Sequence, residues 1–410
     1  MKIKPVNGMK DFLPDECVLR DKMLLNITDI YRKNGFSKIS TPAVEEIENL
    51  LGSDGGDNLK LIYKILKRGE KLDEAQKTGA ELSDLGLRYD LTLPLSRYYL
   101  NNQGKLPSPF KCIQADKVYR AERPQKGRMR EFMQCDIDIL GDPTVNAEIE
   151  LIAVTAEALR KLDIGAFSVR INHREVLRSI IENCGFLPED IDSVCITADK
   201  MDKIGIDGVK TELTEKGLPE FAIQKFIDIL GRKFTEIDEL ESLTPNKQAL
   251  SDLKNVIDIS RKIADNEYGI EFDLTLVRGQ GYYTGIVFEV ESKDFGGTVA
   301  GGGRYDKMIG KFSGKDVPAC GFSIGFERIF SILSGKDRKG SDREKLALLY
   351  NPDGMYEAVI TARELQEKYN VTLLAAKNKL GKQFGDLKNQ GFDCAVLMWK
   401  KDEIKNLHED

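Results

Sequence analysis

The stretch VYRAERPQKGRMREFMQCDID, residues 118–138, decides the fold that we expect for this chain. Its second half alternates between two side-chain faces, which is the period of a β-strand. One face is apolar and carries Met133, Cys135, Ile137 and Ile139. The opposite face carries Phe132, Gln134, Asp136 and Asp138. Residues 111–140 therefore predict two strands joined by a polar turn. One face of the second strand lies in a core, and three polar side chains point the other way.

The turn between these strands is strongly basic. Five arginines or lysines occupy eleven positions, namely Arg120, Arg123, Lys126, Arg128 and Arg130. At a hairpin tip they repel one another unless an anion lies among them, and the planar guanidinium group suits phosphate and carboxylate oxygens. A solvated turn is the structural alternative. The adjoining acidic strand face puts anionic binding groups beside the cationic ones, which favours a functional site.

Periodicity predicts the elements on either side of the hairpin. Helical spacing indicates helices over residues 18–35 and 144–162, and residues 36–44 read as a short edge strand because they contain Pro42. Residues 51–86 are rich in glycine and lysine, and we expect a surface excursion there.

The second half of the chain begins with helices. Residues 170–262 predict several of them between two strand-rich regions, which indicates an inserted module. Strands are then expected at residues 271–277 and 281–290, followed by a glycine cluster and a helix over residues 325–333.

A charged linker at residues 335–345 precedes a change of period. Apolar runs at residues 346–350, 371–374 and 394–399 alternate with helical stretches. This βαβαβ order predicts a small parallel or mixed sheet.

Composition excludes several classes of protein. The 410 residues are 41% apolar and 31% charged, as in a globular chain of two or three domains. The sequence has neither the roughly 18-residue apolar run of a membrane span nor an N-terminal signal core, so we expect a cytoplasmic protein without membrane contact. Seven scattered cysteines without a C-x-x-C pair favour reduced thiols over disulfides or zinc. The net charge of −6 still allows a local RNA-binding patch.

Missing motifs narrow the chemistry further. The chain lacks the P-loop signature G-x-x-x-x-G-K-[ST], and GQGYYT lacks the third glycine of a dinucleotide loop. Its two histidines are His173 and His408, so we do not expect a histidine general base. An enzyme of this sequence would work with arginines, carboxylates, tyrosines and backbone groups.

Two short motifs carry candidate ligand-binding side chains. In LVRGQGYYTGIVFE, Arg278 precedes a Gly-x-Gly turn, and Tyr282 and Tyr283 follow it. A core aromatic pair with a surface arginine is the alternative there. In LRYDLTLP, Asp90 and Thr92 face the same way if the segment is extended and could hold an amine. A helix or strand cap is an equally common use of such a pair.

Two glycine-rich motifs complete the set. The glycines of AGGGRYD, residues 300–306, allow another molecule to approach the backbone closely. In GFSIGFER, Arg328 lies at the start of a helix, where the dipole disfavours a cation, so we expect an anionic partner. A tight bulge and an ordinary surface arginine are the alternatives.

Taken together, these motifs resemble those of the histidyl-tRNA synthetase family, which belongs to class II of the aminoacyl-tRNA synthetases. The resemblance runs from GMKDFLP near the N-terminus through Phe330 and continues more weakly to the end. FSKISTPAVE resembles motif 1, a dimer-interface segment, residues 118–138 resemble motif 2, and GFSIGFER resembles motif 3. LVRGQGYYTGIVFE and AGGGRYD resemble two segments peculiar to histidyl enzymes.

This resemblance implies an α+β fold. Residues 1–169 and 263–334 would form a catalytic domain on an antiparallel sheet, with a helical insertion at residues 170–262. After the linker at residues 335–345, residues 346–410 would form a small α/β anticodon-binding domain.

The resemblance also implies a role for each matching residue. Arg120 would grip the α-phosphate of ATP and the substrate carboxylate, and Arg278 would stabilise the charge that develops on that phosphate. Glu122 would contact the adenine end, and Arg128 and Arg328 the outer phosphates. The histidine pocket would be formed by Asp90, Thr92, Gln134, Asp138, Tyr282 and Tyr283.

The implied reaction joins histidine to tRNA(His) in two steps. The histidine carboxylate attacks the α-phosphate of ATP to give histidyl-adenylate and pyrophosphate, and the 3′-terminal adenosine of the tRNA then takes the histidyl group. The carboxylate is already a nucleophile, so positioning and charge stabilisation carry the first step. Mg²⁺ is the expected ion, with no protein ligand assigned, and a homodimer is the expected assembly.

Two departures from the family pattern stand out. Gly281 occupies a position that is usually acidic, which is expected to alter the histidine pocket. The chain also stops soon after WKKDEIKNL, where relatives continue through another strand, so we expect a shortened anticodon-binding domain. Its candidate RNA contacts, for which a solvated helix face is the alternative, are Lys377, Lys379, Lys382 and Lys388.

Two other functions fit parts of the pattern. The regulatory subunit of ATP phosphoribosyltransferase resembles the synthetase catalytic domain without catalysing, and such relatives generally lose the motif 2 arginines. This chain keeps Arg120, Arg128, Arg278 and Arg328, which favours the ligase. The shortened C-terminal domain leaves open a third function, the activation of an amino acid for an acceptor other than tRNA.

Overall fold

A computed structural model describes residues 3–52, 60–125, 127–232, 234, 237–277, 283–336 and 343–409. The chain divides into two compact units, one of residues 1–12 and 20–337 and the other of residues 13–19 and 338–410. Each unit has a large sheet of its own. The predicted α+β class, with a separate C-terminal α/β domain, is confirmed.

The larger unit is built on a mainly antiparallel sheet. Its strands are β1 (Ser37–Lys38), β2 (Val44–Glu46), β3 (Lys64–Leu66), β4 (Ser83–Leu87), β5 (Phe110–Tyr119), β6 (Glu131–Leu140), β7 (Phe167–His173), β8 (Gly269–Phe272), β9 (Ile286–Ser292), β10 (Gly297–Arg304) and β11 (Ala319–Gly325). Among the described residues, eight strands form one sheet in the order β1-β5-β6-β11-β10-β9-β7-β8, and β2, β4 and β3 form a small one. The two edge pairs of the large sheet are parallel, and the pairs between them are antiparallel.

Strands β5 and β6 form the predicted hairpin. They pair antiparallel along all ten residues of each strand. The apolar face of β6 packs in the core, where Cys135 and Ile137 are fully buried. The polar face is buried as well, since Gln134, Asp136 and Asp138 are at most 9% exposed. Burying three polar groups costs free energy unless partners or a ligand compensate, so this face is a candidate site.

Helices cover the sheet and fill the long connections. They are α1 (Pro14–Lys33), α2 (Ile47–Leu51), α3 (Glu70–Thr78), α4 (Thr92–Asn102), α5 (Asn146–Leu162), α6 (Arg174–Cys184), α7 (Ile191–Ala198), α8 (Met201–Glu215), α9 (Glu220–Leu230), α10 (Lys247–Ala264), α11 (Gly310–Ser313) and α12 (Phe326–Ser334). Helices α6 to α10 connect β7 to β8, where the sequence predicts a run of helices. The apolar residues of α6, such as Val176 and Ile180, recur at helical spacing and are buried.

The structure corrects the expected strand at residues 36–44. It forms only β1, and β2 begins at Val44. The segment between them leaves the sheet because the carbonyls of Thr41 and Pro42 accept hydrogen bonds from the buried guanidinium group of Arg88. Residues 51–86, expected as a surface excursion, contain β3, α3 and most of β4.

The glycine cluster forms a central strand rather than a tight bulge. Strand β10 lies between β9 and β11 and includes Gly301 and Gly302. A Cβ atom at Gly302 would collide with the carbonyl oxygen of Gly321 on β11, so these backbones approach closely only without a side chain. The expected strand at residues 271–277 ends at Phe272. The one expected at residues 281–290 begins at Ile286 in the described part, and residues 278–282 lie outside it.

The smaller unit contains the predicted mixed sheet. Its elements are β12 (Lys345–Tyr350), α13 (Met355–Leu365), β13 (Asn370–Ala375), α14 (Leu380–Asn389), β14 (Cys394–Leu397) and β15 (Lys405–Asn406). The strand order is β13-β12-β14-β15, with β15 antiparallel to its neighbour and the other pairs parallel. Leu346 and Leu348 pack on one face of the sheet, and Ala347 and Leu349 on the other. A strand covered on both faces accounts for the continuous apolar run.

Candidate active site

One cavity of the larger unit, with a volume of about 530 Å³, lies against the polar face of β6. Residues of β6, β9, β10 and β11, of the first turns of α4 and α12, and of the loops around them form its wall. It brings together nine of the residues predicted from the sequence: Asp90, Thr92, Arg120, Glu122, Arg128, Gln134, Asp138, Tyr283 and Arg328. Arg278 and Tyr282, predicted for the same site, lie outside the described residues.

Three arginines from two motifs meet at this cavity, and protein contacts hold each one. Arg120 donates from Nε to the carbonyl oxygen of Tyr89 at 3.0 Å, and Arg128 lies 3.4 Å from Glu122. Arg328 donates to the carbonyl oxygen of Thr298 at 2.5 Å. The guanidinium groups are thus oriented before an anion binds, which lowers the entropy cost of binding one.

The other basic residues of the hairpin have different positions. Arg130 donates from Nε to the carbonyl oxygen of Glu122 at 2.9 Å, and its own N–H donates to the carbonyl of Gly8 at 2.7 Å. It therefore ties the hairpin to the N-terminal segment. Arg123 is not among the cavity residues, and Lys126 lies outside the described part.

Two buried oxygens of the cavity residues have no hydrogen-bond partner in the part of the chain that the structure describes. Asp90 accepts a hydrogen bond from the N–H of Leu93 at 3.2 Å through Oδ1, so this oxygen caps the start of α4. Its Oδ2 atom and the Oε1 atom of Gln134 have no hydrogen-bond partner among the described residues. Unpaired buried acceptors cost free energy, which a ligand with N–H donors would recover.

Burial perturbs the acids of this site. It raises the pKa of Asp90 to about 6, and the Leu93 backbone hydrogen bond and nearby Arg120 oppose the rise. It also raises the pKa of Asp138 to about 7, although the hydroxyl of Tyr305, which donates to Asp138 at 2.6 Å, opposes this. A bound cation would favour the ionised form of both acids.

Sequence reasoning did not assign Asp136, Tyr305, Ser323 or Glu289, which also line the cavity. Asp136 shares the alternating face of β6 with two residues that were assigned, so the period of the strand was an available signal. Ser323 faces Asp136 only through the pairing of β6 with β11. The sequence does not encode that register locally.

Other motif residues hold the site together. Glu327 forms a bidentate ion pair with Arg20, at 2.5 and 2.8 Å, and accepts the N–H of Met133 at 3.2 Å. These contacts join α1, β6 and α12. Arg304 of AGGGRYD forms two hydrogen bonds of 2.6 Å with the fully buried Glu148 of α5 and therefore has a structural role.

The structure assigns a structural role to His173 as well. Its Nδ1 atom accepts the N–H of Glu175 at 3.1 Å at the start of α6, and burial lowers its pKa to about 4. Within the described ranges, no group of three or more His, Cys, Asp or Glu residues could hold a metal ion. The same part of the chain has no helix that is both long and apolar enough to cross a membrane.

Comparisons with known proteins point to one family. The family model described as histidyl-tRNA synthetase matches residues 8–329. The chain is 40% identical over 378 residues to the histidine–tRNA ligase of Leifsonia xyli subsp. xyli, covering 85% of this chain and 84% of that protein. It is 34% identical over 426 residues to the histidine–tRNA ligase of Gloeobacter violaceus, covering 96% and 91%.

Solved structures have the same fold. The histidyl-tRNA synthetase of Nostoc sp. PCC 7120 superposes with a TM-score of 0.79 at 28% identity, over 97% of this chain and 91% of that one. A protein from Bacillus halodurans C, described as an ATP phosphoribosyltransferase regulatory subunit/histidyl-tRNA synthetase, also gives 0.79, over 97% and 98%. At 22% identity, that second likeness concerns the fold alone.

Proposed function

The chain belongs to the histidyl-tRNA synthetase family, and on this premise we propose that it is a histidine–tRNA ligase. It activates histidine with ATP and transfers the histidyl group to the 3′ end of tRNA(His). One observation carries the proposal beyond family membership. Cationic side chains that suit phosphates and buried acceptors that suit an amine line the same cavity.

ATP would occupy the arginine side of the cavity. Arg120 would bind the α-phosphate together with the histidine carboxylate, and Arg128 and Arg328 the outer phosphates. Glu122 would contact the adenine end. The support is that these residues line one cavity and that each arginine is oriented by its neighbours.

Histidine would occupy the acidic side. Asp90, Thr92 and Gln134 would accept hydrogen bonds from its α-ammonium group, which suits the unpaired oxygens of Asp90 and Gln134. Asp138, held by Tyr305, and Tyr283 would bind the imidazole ring. Tyr282 would join them on the strength of the sequence resemblance alone.

The chemistry follows from this division of the cavity. The histidine carboxylate attacks the α-phosphorus of ATP, and pyrophosphate leaves with the electron pair of the broken P–O bond. Because the nucleophile is already ionised, the protein needs to align the two reactants and to stabilise the charge on the α-phosphate. Arg120 would do both, and we assign the second task to Arg278 as well.

Mg²⁺ would accompany the ATP phosphates. This ion usually binds one or two protein carboxylates together with phosphates and water, and Glu289 is a carboxylate on the cavity wall. The hydroxyl of Thr298 donates to its Oε2 atom at 2.9 Å. When bound, the ion would neutralise part of the phosphate charge.

The expected partners follow from the family. tRNA(His) would be the acceptor, and lysines of the smaller unit such as Lys377 and Lys379 are candidate phosphate contacts. We propose a homodimer through the segment that resembles motif 1, acting in the cytoplasm, where tRNA charging supplies translation. The alternative function, a regulatory subunit of ATP phosphoribosyltransferase, is not better supported than the ligase.

Pyrophosphate exchange tests the proposal. We expect exchange of labelled pyrophosphate into ATP with histidine and with no other standard amino acid, followed by charging of bulk tRNA. An absence of histidine-dependent exchange would favour the regulatory function. Exchange without charging would favour an acceptor other than tRNA.

A further inference from the structure

We propose that Asp136 and Ser323 are positioning residues that hold the side-chain amide of Gln134 with its oxygen toward the substrate amine. The inference rests on the proposed function, because it concerns the amino acid that the site activates. It adds two residues that the sequence motifs left without a role.

The three side chains come from two neighbouring strands. Asp136 of β6 lies directly opposite Ser323 of β11, and Gln134 precedes Asp136 by two residues on the same face. All three line the cavity. Their contact therefore depends on the register between β6 and β11.

Hydrogen bonds use both hydrogens of the Gln134 amide. Its Nε2 atom donates to Ser323 Oγ at 2.9 Å and more weakly to the Asp136 carboxyl oxygens at 3.4 and 3.5 Å. Burial and the nearby Asp138 raise the pKa of Asp136, whereas a hydrogen bond with Ser323 lowers it. The Oε1 atom of Gln134 is buried with no partner among the described residues.

Chemistry decides between the two orientations of the amide. The oxygen and the NH₂ group have nearly the same shape, so their neighbours determine which lies where. In the reversed orientation, Gln134 would set its oxygen against the carboxyl oxygens of Asp136 and its NH₂ group toward an ammonium group. With the carboxyl group of Asp136 ionised, acceptor would meet acceptor, and donor would meet donor.

The orientation matters because an ammonium group donates hydrogen bonds and cannot accept them. Asp90 Oδ2, the other buried oxygen described above, is a second acceptor for the same group. A Gln134 amide that turned over would remove one of the acceptors proposed for the ammonium group. The network thus prepares the pocket for an amino acid before it binds.

Asp136→Asn tests the inference directly. The new side-chain NH₂ group can donate to Gln134 Oε1, so the amide can turn over. We expect the KM for histidine in pyrophosphate exchange to rise about tenfold or more, with the KM for ATP within about twofold of the original. Ser323→Ala should shift the histidine KM in the same direction. Ser260→Ala, at a buried serine outside the cavity, is the matched control and should change neither.

A double variant separates positioning from a merely structural role. Gln134→Glu combined with Asp136→Asn presents an oxygen to the amine in either orientation, and Asn donates to the other oxygen. We expect the histidine KM to return to within about threefold of the original. Gln134→Glu alone puts a second carboxyl group beside that of Asp136 and should raise the histidine KM.

Three outcomes would overturn the inference. The first is a histidine KM that Asp136→Asn and Ser323→Ala leave unchanged, and the second is a double variant as impaired as Asp136→Asn. The third is an original protein without histidine-dependent exchange, which would overturn the proposed function too. Thermal unfolding identifies a variant that fails to fold, and in that case Ser323→Ala decides.

Discussion

Individual side chains of the cavity are held in place by the protein itself. Arg120 binds a backbone carbonyl, Asp138 accepts the hydroxyl of Tyr305, and Asp90 caps a helix with one of its oxygens. These contacts orient the groups, and the two carboxyl groups remain buried. Such a site is prepared for its ligands at a cost to the stability of the free protein.

The stability of the free protein should therefore depend on Asp90. Its pKa rises from 3.8 to about 6 on folding, so the folded protein binds more protons than the unfolded chain between these values. Stability then falls as the pH rises through this window. We expect Asp90→Asn to reduce this fall by about 1–3 kcal/mol in the free energy of unfolding, measured by urea denaturation from pH 4 to pH 7.

The exposed Asp228→Asn serves as the control for this measurement and should leave the pH dependence unchanged. Parallel stability curves for the original protein and Asp90→Asn would contradict the assignment. Added histidine should reduce the fall in the free energy of unfolding between pH 4 and pH 7, because its ammonium group favours the ionised carboxylate of Asp90.

Arg278 is the residue to which the resemblance gives the most direct part in the chemistry. Replacing it by alanine removes a charge from beside the reacting phosphate, and one such group is commonly worth about a hundredfold in rate. We expect Arg278→Ala to remain folded and to lose histidine-dependent pyrophosphate exchange by at least about that factor. Arg363→Ala, at an exposed arginine of α13, should retain exchange. Unaltered exchange in Arg278→Ala would remove Arg278 from the mechanism.

At the scale of elements, a glycine on β10 lets that strand lie close to β11, and a glycine on β11 leaves room for the carboxylate of Asp138. A Cβ atom at Gly302 would collide with the backbone of β11, and one at Gly321 would collide with the carboxylate of Asp138. The first is a requirement of the fold, whereas the second is a requirement of the site. An ion pair between Arg20 and Glu327 connects α1 to α12.

Gly321→Ala should consequently damage histidine binding more than folding. The added Cβ atom would lie 3.0 Å from Asp138 Cγ and would push the carboxylate away from Tyr305. We expect the histidine KM to rise about tenfold or more and the free energy of unfolding to fall by about 1–3 kcal/mol. Kinetics of exchange and urea denaturation measure the two effects. Gly104→Ala, where an added Cβ meets nothing within 4 Å, is the control. A KM for ATP that rises as much as that for histidine would argue against this explanation.

At the scale of the whole molecule, the two units have separate sheets and separate cores. Every residue that lines the described cavity belongs to the larger unit. Activation of histidine should thus be separable from recognition of the tRNA body.

Ending the chain at residue 336 tests this separation. We expect histidine-dependent pyrophosphate exchange to stay within about threefold of the full chain. Charging of tRNA(His) should fall about tenfold or more because phosphate contacts are lost. Circular dichroism and thermal unfolding confirm that the shortened protein is folded. Equal loss of exchange and charging in a folded protein would contradict the separation.

Much of the fold could be predicted because its signals are local. The alternation in β6 predicted both a strand and the two faces of that strand, and the apolar runs after residue 345 predicted the smaller sheet. The expected strand at residues 36–44 was wrong because carbonyl groups within it accept hydrogen bonds from Arg88 instead of pairing in the sheet. Arg88 is 47 residues away from Thr41 in the chain. For the glycine cluster, the sequence left both close approach of another molecule and a tight bulge open. Close approach of two backbones is a property of the pair of strands, so the cluster alone could not identify β11 as the neighbour.

The candidate site divides in the same way. Arginines and carboxylates that belong to a sequence motif, including those of the β5–β6 hairpin, were predicted individually, and those assigned to the site line the cavity where the structure describes them. Tyr305 and Ser323 were missed because their partners lie 167 and 189 residues away. Such contacts follow from strand order and register.

The sequence by itself determined the segments with strong local periodicity, such as β6 and the strands after residue 345, the apolar face of β6, and which charged groups are available for binding anions and amines. These properties depend on neighbours in the chain, so a local pattern is enough to specify them. The tertiary structure alone decided that β6, β10 and β11 lie side by side, and hence that Asp138 meets Tyr305 and Gln134 meets Ser323. Those meetings depend on how closely two backbones can approach and in which register they pair, which is settled only when the distant segments pack together.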